Sequence, residues 1–109
     1  MCSYNFSSIF VLLKRKEMAY KNSKGENEYL FGWLEAEPGS NEFKPTSGGN
    51  STWAKTKREA IAKVNRERKE WEMKNPTYTQ LRVNPETCRR AKTQKESSDF
   101  SYGLYMMTI

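Results

Sequence analysis

The chain contains no histidine. That removes the usual general base, the commonest metal ligand, and every Ser-His or Cys-His catalytic arrangement. Cysteine is almost as scarce: Cys2 and Cys88 stand far apart without metal-ligand spacing. They encode no disulfide framework, and a reduced cytoplasmic protein is the expectation. No P-loop or dinucleotide fingerprint occurs, and the lone pair Gly48-Gly49, followed by Asn50, Ser51 and Thr52, resembles a turn more than a phosphate cradle. The apolar run from Ile9 to Leu13 is far shorter than the ~18–20 residues a membrane span requires. These absences lead us to expect a non-enzymatic protein with no cofactor, no bound metal and no membrane partner.

Basic charge is what the chain has in excess, and it is unevenly placed. Of 19 Lys and Arg and 13 Asp and Glu, six of each fall in residues 1–54, which leaves thirteen bases against seven acids in residues 55–109. The second half therefore carries the whole formal +6. A segregated surplus builds a lobe whose field attracts polyanions, and nucleic acid is the commonest such partner. Hydrophobic residues make up only 36% and mean hydropathy is −0.95, yet aromatics reach 13%. Disordered chains contain fewer aromatics, so one small domain with an aromatic-rich core is expected.

The N-terminal segment reads differently from the rest. Lys14-Arg15-Lys16 follows the apolar run, the reverse of a secretory signal. Lys14-Arg15-Lys16-Glu17 can be encoded by purines alone, as a ribosome-binding site would be, which makes Met18 a candidate true start. Residues 1–27 are accordingly expected to be a disordered or non-native lead, and residues 28–109 a single α+β domain.

Tyr29-Leu30-Phe31-Gly32-Trp33-Leu34 is apolar on both faces and reads as an inner strand. Pro38-Gly39-Ser40-Asn41 is a turn signal. Glu42-Phe43-Lys44 begins a return strand that Pro45 confines to an edge, with residues 46–50 as a flexible excursion. Thr56-Lys57-Arg58-Glu59 is a capping box opening a helix to about Lys74, where Asn75-Pro76 ends it. Its apolar side holds Ala60, Ile61, Val64 and Trp71, with the Arg68 stem beside them, and Arg58, Arg66 and Lys69 lie roughly opposite. Because Glu59, Glu67, Glu70 and Glu72 intersperse with these bases, the stripe also fits an ordinary solvated helix face.

Residues 77–83 alternate as a strand. Asn84-Pro85-Glu86 then reads as the start of a second, short helix. The segment it opens carries Arg89, Arg90, Lys92 and Lys95 with no acid inside it to neutralise them, and these four are the leading candidates for phosphate contact. Arg82 and Arg66 would extend the track. A short solvated helix with no partner is the bland alternative. Cys88 fits a small buried residue better than a nucleophile, since no imidazole supports it. Residues 100–109 read as an aromatic terminal strand. Tyr78, Tyr102, Tyr105 and Trp33 are the candidates for an aromatic platform on which bases stack.

Trp53-Ala54-Lys55-Thr56-Lys57-Arg58-Glu59-Ala60 resembles the strand-to-helix junction in the arm-binding domains of phage integrases. Over these eight residues the resemblance implies a small sheet that reads DNA through its strands, with the helix behind it; the junction is also a generic capping box. The expected architecture is β-β-α-β-α-β, an antiparallel sheet of four or five strands with one long helix and a short basic helix. The expected role is non-catalytic binding of RNA or single-stranded DNA ahead of duplex, in a small basic protein of phage or mobile-element type. The alternative is an inhibitor or adaptor that docks its basic lobe on an acidic or nucleic-acid-binding surface of a host protein.

Overall fold

The strand read at residues 29–34 is the axis of the fold. In the computed structural model, which describes residues 20–108, β1 (Asn27–Ala36) is flanked on both sides by antiparallel partners. On one side lies β2 (Lys44–Ala54); on the other lie β3 (Gln80–Val83) and the two-residue β4 (Arg89–Arg90). Helices α1 (Lys57–Lys74) and α2 (Gln94–Thr108) complete a β-β-α-β-β-α domain, an α+β fold with a four-stranded antiparallel sheet. Strands buried on both faces read as continuous apolar runs, which is why β1 was legible. The readings of Cys2 and of a start at Met18 lie outside the described residues.

Pairing register assigns the two faces. Tyr29 and Phe31 share a core with Ala54, Ala60, Val64, Val83 and Cys88, while Trp33 and Ile61 pack against it. This is the face that α1 covers. Glu28, Leu30 and Gly32 point the other way, opposite Trp53, Ser51 and Gly49. There Phe100 of α2 sits over Gly49, and the Tyr20 ring lies 5.5 Å from the Trp53 ring. The Tyr20 hydroxyl and the Ser51 hydroxyl each donate to the buried Glu28 carboxylate at 2.8 Å. Both faces of the sheet are thus covered, so the implied open reading sheet is not present.

The Pro38-Gly39 turn forms as expected. The Ser40 amide donates to the Glu37 carbonyl at 2.9 Å, and Gly39 takes φ +81°, the left-handed value this kind of turn needs at its third residue. Residues 46–50 are not a loose excursion. They belong to β2, with a bulge that sets residues 46–48 against Trp33 alone.

Helix α1 begins where the capping signal placed it. The Glu59 amide donates to Thr56 Oγ1 at 3.1 Å, and Asn75 closes the other end. One face assignment is corrected: Trp71 is 39% exposed, and the buried residue is Glu72. The cause lies in β3. Its outward amides at Leu81 and Val83 are satisfied by Glu72 Oε2 and Asn65 Oδ1, each at 2.8 Å, so α1 turns those residues inward and leaves Trp71 at the rim. On the other edge, Lys63 Nζ donates to the Trp53 carbonyl at 3.1 Å and the Asn50 side chain accepts from the Ser51 amide. Side chains and a bulge close edges that would otherwise recruit further strands.

The last third of the chain overturns two expectations. Asn84 does not cap a helix. Its side chain accepts from the Glu86 amide, its carbonyl accepts from the Thr87 amide, and a tight Asx turn results. The free side of β1 then draws the chain into extension. Gly32 receives the Asn84 amide on its carbonyl and donates its own amide to Thr87 Oγ1 at 2.8 Å, and the Ala91 amide donates to the Glu28 carbonyl. The basic segment is therefore a turn and β4, not a short helix. The predicted terminal strand is helix α2. Thr93 caps it through the Glu96 amide at 3.2 Å, and Lys95 pairs with Asp99 one turn on. Thr93-Gln94-Lys95-Glu96 repeats the spacing of Thr56 to Glu59, and that local signal outweighs the β propensity of the aromatic run after it.

Candidate nucleic-acid interface

β4 presents Arg89 and Arg90 on opposite faces of the sheet, opposite Leu30 and Tyr29 respectively. Both side chains are exposed, and neither joins an ion pair among the described residues. Arg89 lies over the Phe100 ring at 5.8 Å, which props the guanidinium without neutralising it. Arg90 points to the α1 side, as does Cys88 two residues earlier. Lys92 follows, exposed. The acid nearest it in sequence, Glu96, is turned to the backbone and accepts the Lys92 amide at 2.8 Å.

Three bases that sequence spacing did not assign join this end. Lys57 opens α1 close enough to Cys88 to act on its thiol: burial pushes the Cys88 pKa up, and the Lys57 charge opposes that rise. Lys21 Nζ donates to Asn27 Oδ1 at 3.0 Å, and Asn27 Nδ2 in turn donates to the Lys55 carbonyl at 3.3 Å. Lys21, Lys55, Lys57, Arg89, Arg90 and Lys92 thus gather where β1 and α1 both begin. Only the antiparallel turn of β2 back to the start of β1 brings them together. At the opposite end of β1, Glu35, Glu37 and Glu42 line an open cleft with Lys44. That far end is mixed in charge, since Lys69 and Arg82 lie there beside Glu72.

The remaining predicted site residues scatter. Lys95 is not unneutralised as expected, since it is bonded to Asp99 at 2.9 Å. The helix supplies that partner by setting them four apart. Arg82 is tied down at the far end, 2.8 Å from Glu72 and 5.4 Å over the Phe43 ring. Glu72 holds Arg68 as well, also at 2.8 Å. Burial alone would raise the Glu72 pKa, but hydrogen bonds from Arg82, the Leu81 amide and Arg68 outweigh it and hold the carboxyl below its ordinary value. Arg66 stands exposed on α1. Tyr78 is exposed at the far end, edge-on to Trp71 at 5.0 Å, and Tyr102 is exposed on α2. Trp33 is half-buried against Phe31, and the Tyr105 side chain lies outside the described residues. Among the described residues, the aromatics named from sequence therefore form no single platform.

No helix among the described residues is long and apolar enough to cross a membrane, and no cluster of three metal-ligating side chains occurs among them. No family model, curated protein or solved structure matches this chain.

Proposed function

We propose that the protein is a non-catalytic nucleic-acid-binding domain that grips the phosphates of RNA or single-stranded DNA with the basic end of its sheet. One observation carries the reading: Arg89 and Arg90 stand exposed and, among the described residues, without carboxylate partners, on a strand of two residues. Lys57, Lys55, Lys21 and Lys92 surround them, and a local cluster of cations of this kind attracts a polyanion. A single strand suits the surface better than duplex. Both sheet faces are covered by helices, and the basic groups run around an edge instead of along a protruding helix that could enter a groove.

The rival reading, a basic lobe docked on an acidic host protein, predicts exposed apolar area beside the patch. Among the described residues, three of the four exposed large apolar side chains, Trp71, Met73 and Tyr78, gather at the C-terminal end of α1 instead, and the fourth, Tyr102, lies on α2. The test is a triple substitution, Arg89→Ala with Arg90→Ala and Lys92→Ala, measured against labelled single-stranded oligonucleotides over a salt series. Affinity should fall, and the slope of log K against log salt should become shallower by about 0.7 for each phosphate that the variant no longer neutralises. Lys95→Ala, already paired in the free protein, should change the slope less. If the wild-type protein has no affinity for RNA or DNA at low salt, the reading fails and the docking alternative replaces it.

A further inference from the structure

We propose that the cleft between β2 and α1 is a subsite for one unstacked nucleobase of the bound strand, an inference that rests on the nucleic-acid reading above. The cleft, about 270 Å³, opens to solvent between Trp33, Asn50 and Thr52 of the sheet and Glu67, Arg68 and Trp71 of the helix. Drug-sized ligand sites begin at about 300 Å³, so this one holds a group the size of a single base.

Its walls have the chemistry of a base and not of a phosphate. Arg68 is held in one orientation: Nε donates to Glu72 Oε2 at 2.8 Å, Nη2 donates to the Thr79 carbonyl at 3.0 Å, and the guanidinium lies 4.3 Å from the centre of the Trp71 ring. A fixed planar cation backed by an indole is a stacking surface for a flat π system. On the opposite wall, Asn50 Oδ1 is occupied by the Ser51 amide at 2.8 Å, which leaves the Asn50 amide group as a donor toward a base carbonyl. The Glu67 carboxylate repels phosphate and accepts from base N–H groups. It therefore favours entry of the base with the backbone kept outside. The exposure of Trp71, a cost for an ordinary amphipathic helix, is what makes the cleft.

The route to the cleft is basic. From Arg90 it passes Lys57 and Lys55 at the start of α1 and reaches Lys63, whose ammonium sits on the Trp53 carbonyl at the β2 edge. From Trp53 to Asn50 is three residues along the strand, roughly 10 Å. A strand whose phosphates follow these bases carries a base to the cleft mouth.

The test compares a short labelled single-stranded oligonucleotide with an abasic strand of equal length and charge, by fluorescence anisotropy at low salt. Wild-type protein should bind the base-bearing strand about tenfold or more tightly than the abasic one, the stacking contribution of one base. Trp71→Ala should abolish that preference without changing the affinity or salt slope for the abasic strand. Asn50→Trp, an exposed position whose new ring fills the cleft, should do the same, and it decides alone if Trp71→Ala fails to fold. Equal binding of the two strands by wild-type protein, or a preference that survives either folded variant, overturns the subsite and leaves the phosphate reading standing. Failure of both strands to bind overturns the reading beneath it.

Discussion

Removal of the Glu72 carboxylate should be the most damaging single polar change in the domain. Glu72 is 9% exposed and accepts from Arg68 Nε, Arg82 Nη1 and the Leu81 amide, all at 2.8 Å. Glu72→Ala strands two guanidinia and a strand amide. Breaking a fully buried ion pair costs about 3–5 kcal/mol, but Arg68 and Arg82 keep 22% and 17% of their side-chain surface in water. Solvent takes over part of the interaction, so about 2–4 kcal/mol is the expected cost once the stranded amide is included. In a domain of this size that lowers the thermal midpoint by roughly 10 °C or more, measured by circular dichroism.

Glu72→Gln keeps an acceptor for Leu81 and removes only the charge, so its cost should be smaller and depend on pH. The folded carboxyl titrates below the unfolded value of about 4.3. Its contribution is complete above that value and is lost as the pH falls through the lower, folded one. The gap between wild type and Glu72→Gln should therefore be full at pH 6–7 and shrink toward pH 3. An unchanged midpoint for Glu72→Ala, or a gap that does not vary with pH, refutes the clasp as described.

Three further outcomes follow from the packing. Thr93→Ala removes the cap of α2 and should cost about 0.5–2 kcal/mol with a drop in helical ellipticity; an unchanged ellipticity would mean that residues 94–108 are not held as a helix by this cap. A Cβ at Gly49 would collide with the Phe31 carbonyl oxygen and lie 3.2 Å from Phe100 Cζ, whereas one at Gly103 meets nothing within 4 Å. Gly49→Ala should thus destabilise by about 1–3 kcal/mol, and Gly103→Ala should stabilise α2 by about 0.5–1 kcal/mol; urea titrations of the pair check the sign. The Cys88 thiol, buried and pushed up in pKa despite Lys57, should react slowly with an aromatic disulfide reagent in native Cys2→Ser protein and rapidly once unfolded; fast native reaction would contradict its place in the core.

What sequence alone conveys here is set by how local the deciding interaction is. β1, the Pro38-Gly39 turn and the Thr56 cap are each decided within a few residues, and all three were legible. Residues 84–108 were misread because two signals compete in them. Asn84-Pro85 suits a helix start as well as an Asx turn, and only the unpaired carbonyl and amide of Gly32, more than 50 residues away, decide for the turn. The aromatic content of residues 100–107 suits a strand, but the Thr93 cap and the Lys95 to Asp99 spacing suit a helix. The site was partly legible for the same reason. Arg89, Arg90 and Lys92 are neighbours in sequence, whereas Lys21, Lys55 and Lys57 reach them only through the β1–β2 register. Arg82 looked free because Glu72, ten residues earlier, was assigned to solvent.

That assignment also explains why Trp71 was placed in the core. A helical wheel treats the sheet as a uniform apolar floor, and on such a floor Trp71 belongs beneath α1 and Glu72 at its flank. The floor here ends at β3, a short edge strand with amides at Leu81 and Val83 that need acceptors. Two strand amides left unpaired under a helix would cost more than the partial exposure of one indole, since an orphaned buried donor loses about 1–3 kcal/mol. The helix therefore turns Asn65 and Glu72 toward β3, and Glu72 fixes Arg68 on its way. Trp71 rises to the rim across from Asn50 and Thr52 of β2. One requirement, closure of a strand edge, thus accounts for the buried carboxylate, the immobilised guanidinium and the exposed indole. The cleft assigned to a nucleobase follows from how the sheet ends.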